Sequence, residues 1–213
     1  MQTENHYLVI IMINRNYTTD FNNNTEVARK AEEITIKLLE QLIKGVKFIS
    51  VHDDEECFHL GDILSSDGKY YDVKDDGVIH RTGNIFAEEM KYWKSGSISD
   101  GWMRNGKYDY LCVLDMIDHN LYILDFNRFK KMYKKGKFIK TNMGDNITTG
   151  YCVPLWRCRE DKCLLYEIQY EYDEDFDFYS IKKQFNSSYD KYIECAIKID
   201  YSAVCVNSYI KSN

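Results

Sequence analysis

Residues Phe58–Leu64, FHLGDIL, and Tyr70–Lys74, YYDVK, lie on either side of the triplet Ser66-Asp67-Gly68, and their pairing decides how the chain reads. The two segments form a hairpin if the triplet is a three-residue loop with Gly68 in the left-handed position. In that register Asp62 falls opposite Asp72, and cross-strand partners on one face have β-carbons about 4.5–5.5 Å apart. Side chains alternate along a strand, so Asp72 and Lys74 share one face while Tyr71 and Val73 share the other, apolar one. Two carboxylates that close repel each other unless a cation or a proton compensates. A hard divalent ion with oxygen ligands is the natural compensator, and Lys74 beside two acids is expected to stay protonated. Phosphodiester hydrolysis needs a metal to activate water and offset charge on the phosphate, and a positioned cation adds to that stabilisation.

Downstream, Thr82-Gly83-Asn84 leads into a strand expected over Ile85–Met90. This strand carries Glu88 on one face with Asn84 and Phe86, as a further carboxylate. Acid-x-Lys triplets occur at Asp67-Gly68-Lys69, Asp72-Val73-Lys74 and Glu89-Met90-Lys91, so context must choose among them. The hairpin favours the second. In a later layout Asp72 is the first acid and Glu89-Met90-Lys91 the triplet, with Glu89 and Lys91 sharing a face away from Glu88. Both layouts keep Asp72, and Glu89 and Lys91 are carried as alternates.

Upstream, Thr25–Lys44 reads as a helix capped by Thr25 and ended by Gly45, with Val27, Ala31, Ile34, Leu38 and Leu42 at helical spacing. Val46–Val51 is a short strand. Tyr108–Leu114 has the apolar run of a central strand. The chain turns at Asp118-His119-Asn120 and returns as a strand over Leu121–Phe126, and the basic run that follows reads as a helix. Lys162–Tyr172 reads as a strand, and Tyr192–Val206 as helix or strand. The expected fold class is α/β (α+β), a central mixed β-sheet flanked by helices, in a single domain spanning 1–213.

The succession of GDI, DVK ten residues after the first acid, and TGNIFAEE resembles the core of the PD-(D/E)XK, or restriction-endonuclease-like, nuclease superfamily of bacterial and bacteriophage type. That core is a helix followed by a mixed sheet, then a helix and a last strand. The resemblance covers about 25–135 and leaves a C-terminal extension, about 141–213, without an assigned role. It implies a metal-dependent endo- or exodeoxyribonuclease that hydrolyses DNA in repair, recombination, restriction or phage DNA processing. It further implies that Asp62 and Asp72, joined by Glu88, bind Mg2+ or Mn2+, and that Lys74 assists the nucleophilic water. Many members add a glutamate from the first helix. Glu32 and Glu33 both stand at about the right place, and Glu33, on the polar margin of the buried stripe, is carried as the weaker candidate. Glu88 is the other residue that fills this role. Gly61 stands where the family's first motif has its proline. An inactive nuclease-like fold that holds DNA or a protein partner is the alternative. Duplex cutters of the family often work as dimers, which makes a homodimer an expectation.

The net charge of −6 argues against a nucleic-acid partner until its distribution is considered. Asn127–Lys140, NRFKKMYKKGKFIK, carries seven cations and no acid, whereas Glu171–Asp177 carries five acids. A helix bearing Arg128, Lys130, Lys131, Lys134 and Lys135 is the expected contact to the DNA backbone, because each neutralised phosphate releases counterions. The seven cysteines are odd in number and lack a C-x-x-C pair, which favours reduced thiols over disulfides or structural zinc. Tyr7–Ile13, YLVIIMI, is too short to span a bilayer, and Glu4, Asn5 and His6 before it do not make a basic leader. The protein is expected to be cytoplasmic and without a membrane partner.

Overall fold

The computed structural model describes residues 21–54, 57, 59–143, 146–173 and 178–186. The expectations for Tyr7–Ile13 and Tyr192–Val206 lie outside these residues, as does part of the acidic run 171–177. The first element is a long helix, α1 (Phe21–Leu42). Thr25 therefore lies inside the helix and does not cap it, while Gly45, at φ +82°, follows the helix as expected. Ala31, Ile34, Leu38, Leu39 and Leu42 form its buried stripe, whereas Val27, expected on it, is exposed.

Seven strands build one sheet: β1 (Phe48–Ser50), β2 (Ile63–Ser65), β3 (Tyr70–Asp75), β6 (Tyr110–Asp115), β7 (Asn120–Asp125), β10 (Leu164–Asp173) and β11 (Phe178–Asn186), in the order β1-β2-β3-β6-β7-β10-β11. Among the described residues only β3 and β6 run parallel, so the sheet is mixed. A second, antiparallel sheet has the order β5-β4-β9-β8, from β4 (Asn84–Trp93), β5 (Ile98–Asp100), β8 (Lys137–Met143) and β9 (Asn146–Pro154). The expectation of one sheet between helices is thus corrected. The strand over Ile85–Met90 leaves the main sheet, and the chain after Thr141 supplies strands to both sheets.

Alternation along the strands of the main sheet makes two cores. Tyr71, Val73, Cys112, Leu114, Leu121 and Ile123 face α1. Leu111, Val113, Tyr122 and Leu124 face the other way, onto Ile85, Ala87 and Val153 of the second sheet and onto the short helix α4 (Phe126–Met132). α4 starts where Asp125 accepts a hydrogen bond from Arg128 N at 2.9 Å, a standard helix N-cap. A 3-10 turn over Tyr133–Lys135 ends at Gly136, and β8 begins at once. The basic run Asn127–Lys140 is therefore part helix and part strand, not one helix. Two more single-turn helices, α2 (Ile79–Thr82) and α3 (Trp102–Asn105), and α5 (Leu155–Glu160) complete the fold. No helix among the described residues is long and apolar enough to cross a membrane.

Each core is close-packed, so truncation leaves a cavity as well as losing buried area. Leu38→Ala, on the α1 side, is expected to cost about 2–5 kcal/mol, and Phe129→Ala, on the other, about 3–5 kcal/mol. Urea denaturation measures both, and a variant as stable as the wild type would contradict the burial of that core.

Candidate active site

The β2–β3 hairpin closes as its loop length requires. Gly68 has φ +81°; Ser65 Oγ accepts from Lys69 N at 2.9 Å and donates to Asp67. Ile63 pairs with Tyr71 and Leu64 with Tyr70, and continuing the ladder by one residue sets Asp62 opposite Asp72. There the strands separate. Asp62 N donates to Tyr71 O at 2.9 Å, and Asp62 Oδ2 accepts from Val73 N at 2.7 Å. Gly61 permits this path: its φ is +135°, and an added β-carbon would stand 2.7 Å from Tyr71 O. Proline, locked near φ −65°, has no place here.

Asp72 and Lys74 point away from Tyr71 and Val73, on the side of their parallel partners Leu111 and Val113. Lys74 Nζ lies 2.7 Å from Asp72 Oδ2. Burial is the main influence on Asp72. Partly offset by Lys74 and reinforced by Asp62, it pushes the carboxyl up to about 6. Burial opposes the charge of Lys74, but Asp72, Asp62 and Glu88 outweigh it and hold the ammonium above its ordinary value. Tyr108, just before β6, puts a buried phenol beside Asp72. Burial and that carboxylate keep it protonated, and its oxygen has no hydrogen bond of standard geometry.

α1 contributes Glu32, not Glu33. Glu32 is buried: Ser50 Oγ donates to its Oε2 at 2.9 Å, and His52 Nδ1 lies 2.8 Å from its Oε1. Burial raises its pKa, the Ser50 hydrogen bond opposes this, and Asp62 adds to it. Glu33 faces solvent, paired with Lys37 at 2.8 Å and Lys30 at 3.5 Å. Thr35 and Leu39, which follow Glu32 at helical spacing, are fully buried on the same side of α1. His52 follows β1 and carried no signal of its own. Ligand atoms of Glu32, His52 and Asp62 all lie within 4.8 Å of one another. Oxygen ligands of Mg2+ or Ca2+ stand roughly 2.0–2.6 Å from the ion, so opposite ligands are on the order of 4–5 Å apart. Two carboxylates and one imidazole at this spread fit a divalent cation.

The later layout of the motif does not form. A bulge between Glu88 and Met90 resets the alternation of β4, so Lys91 falls on the face of Glu88, with Nζ 3.2 Å from Glu88 Oε1. Glu89 is drawn away: Tyr133 Oη donates to it at 2.5 Å, and Lys134 lies at 3.4 Å. Period-two spacing put Glu89 and Lys91 together only in the absence of the bulge. Glu88 is buried and acts electrostatically on Lys74 and Tyr108.

Most of the basic candidates are engaged inside the fold. Arg128 pairs with Asp125 at 3.3 Å and donates to Lys162 O. Lys130 donates to Gly106 O at 3.2 Å, and Lys135 pairs with Asp161 at 2.7 Å. Lys134 is tied to Glu89, whereas Lys131 is exposed. Trp102 stacks on Phe129 and belongs to the core, as do the free thiols of Cys112, Cys158 and Cys163.

Comparison of the chain with models of protein families, with characterised proteins and with solved structures gave no match.

Two measurements test the geometry. Between the ordinary carboxyl value near 4 and about 6, folded Asp72 binds more protons than unfolded Asp72. Its contribution to stability therefore falls as pH rises through that window in metal-free protein. Asp72→Asn is expected to flatten this slope in urea denaturation between pH 4 and 7, and parallel slopes would refute the burial of the charge. Gly61→Ala is expected to lose on the order of 1–3 kcal/mol through backbone strain; an unchanged melting temperature would count against the positive φ.

Proposed function

We propose that the chain is a metal-dependent nuclease of PD-(D/E)XK type that hydrolyses phosphodiester bonds in DNA. The observation that carries this reading is the convergence of Glu32, Asp62 and Asp72 with the Lys74 ammonium group at one end of the β2–β3 hairpin. Three carboxylates from a helix and two neighbouring strands are the acids that the motif resemblance calls for. The core it describes, a helix over a mixed sheet, is compatible with α1 lying on the seven-stranded sheet.

In this reading Glu32 and Asp62 hold the cation, with Asp72 beside them. A bound Mg2+ or Mn2+ supplies an activated water and offsets charge on the phosphate. Val73 N fixes one oxygen of Asp62 and leaves the other to face a ligand, while Glu32 is held by Ser50 at one oxygen and lies beside His52 at the other. Lys74, kept protonated by its acidic neighbours, stabilises negative charge developing on the scissile phosphate. Tyr108 limits solvent around Asp72 and remains a neutral donor. Glu88 and Lys91, paired with each other, flank the group without joining the cation ligands. DNA as the substrate comes from the motif resemblance, and its entry by the basic run 127–140 is weakened by the internal pairing of those cations.

The test is cleavage of single-stranded, duplex and branched DNA with Mg2+ or Mn2+. Asp72→Asn and Lys74→Ala are each expected to lose about 100-fold or more, the scale of removing one transition-state stabilising group, while Lys91→Ala retains most activity. Wild type and Asp72→Asn cutting equally, or neither cutting any of these DNAs, would sink the proposal.

A further inference from the structure

The cation pocket contains a nitrogen donor that a purely carboxylate site lacks. His52 Nδ1 and Glu32 Oε1 are 2.8 Å apart, and a ring nitrogen of His52, a carboxylate oxygen of Glu32 and one of Asp62 all lie within 4.8 Å of one another. The ring is placed by structure on both sides. Val51 N donates to Asp62 O at 2.8 Å, which extends the β1–β2 pairing to the residue before His52. Asp54 N donates to Val51 O at 3.0 Å, closing a turn around His52. Arg29 on α1 pairs with Asp53 at 3.0 Å and ties that turn to the helix that carries Glu32. The backbone N–H of His52 also reaches Ser50 Oγ, the hydroxyl that donates to Glu32. Helix, turn and hairpin are therefore cross-linked around three ligand atoms. Glu32 is buried, while His52 opens to solvent and gives an ion a way in.

Mg2+ prefers oxygen ligands and gives up its water reluctantly. Imidazole suits first-row transition metals, whose affinity for nitrogen donors rises along the series beyond Mn2+. We propose that Glu32, His52 and Asp62 form a mixed nitrogen–oxygen site that selects a transition-metal dication, represented by Mn2+, over Mg2+, with His52 as the selecting ligand. The inference rests on the cation pocket of the nuclease reading and assigns that pocket its metal class. It also separates the ion's ligands from Asp72, whose near partner is Lys74.

Calorimetric titration of the full chain with Mn2+ and with Mg2+, for wild type, His52→Ala and His52→Asn, measures the selection. Pulsed electron paramagnetic resonance of the Mn2+-loaded protein detects a coordinated nitrogen directly. Wild type is expected to bind Mn2+ more tightly than Mg2+ and to show nitrogen modulation. Both variants are expected to lose that modulation and about tenfold or more in Mn2+ affinity, the lower end of the range for removing a supporting partner of a metal site, with little change for Mg2+. Circular dichroism melts confirm that the variants fold, and His52→Asn keeps a polar side chain at the turn. Mn2+ bound without nitrogen modulation, an unchanged Mn2+ to Mg2+ ratio in both variants, or no Mn2+ binding by wild type overturns the inference. Nitrogen modulation without DNA cleavage would leave this site standing and remove the nuclease reading. Cleavage without nitrogen modulation would do the reverse.

Discussion

Because side chains of a strand alternate between faces, the loop Ser66-Asp67-Gly68 settles which of two cores each residue of β3 enters. A slip of one residue would send Tyr71 and Val73 toward the second sheet and turn Asp72 and Lys74 into the apolar layer beneath α1. Among the described residues the layer under α1 is mostly apolar, with Leu38, Leu39, Cys112 and Leu114 as its neighbours. The register is thus held twice, by the left-handed glycine of the loop and by the cost of moving two charges into an apolar layer. Gly61 adds the other end, where Asp62 leaves the ladder and its carboxylate turns back onto Val73 N.

The electrostatics of the group follow from this packing. Asp72 and Glu32 are withdrawn from bulk water with Asp62 as a common neighbour, and burial raises both acids toward neutrality. Such an arrangement costs stability in the free protein, and a cation among the acids would relieve their mutual repulsion. Cations and acids alternate around the group, Lys74 by Asp72 and Lys91 by Glu88, and the His52 ring lies by Glu32. Elsewhere four of the seven cations of the basic run 127–140 meet Asp125, Glu89, Asp161 or a backbone carbonyl, whereas Lys131, Lys137 and Lys140 are exposed.

The hairpin, its three-residue loop, and the common face of Asp72 and Lys74 were legible because they depend on local rules, loop length and a period of two. The helical stripe of α1 was legible for the same reason, apart from its start and Val27. The choice between Glu32 and Glu33 stayed open because Glu32 flanks the apolar stripe, and a buried acid there makes sense only with Ser50 and His52 in view. The bulge that parts Glu89 from Lys91 leaves no trace in hydrophobic periodicity, since it is a mismatch with β9 some sixty residues on. The second sheet escaped detection for a related reason: β8 begins inside a basic run that has good helix formers throughout, and Gly136 alone marks the change.

The single parallel pair, β3 with β6, has a further consequence for how the molecule comes to exist. Parallel neighbours need a crossover, and the one here carries β4 and β5, which remain without a full sheet until β9 arrives. Asn84 meets Pro154 across 70 residues, and Gln41 at the end of α1 donates to Tyr179 O across 138. Neither core can therefore seal before the residues of β10 have been made. The apolar stripe of α1 waits on the nascent polypeptide for Tyr170 and Tyr179, and closure over such separations is slow and exposes sticky surface in the interval.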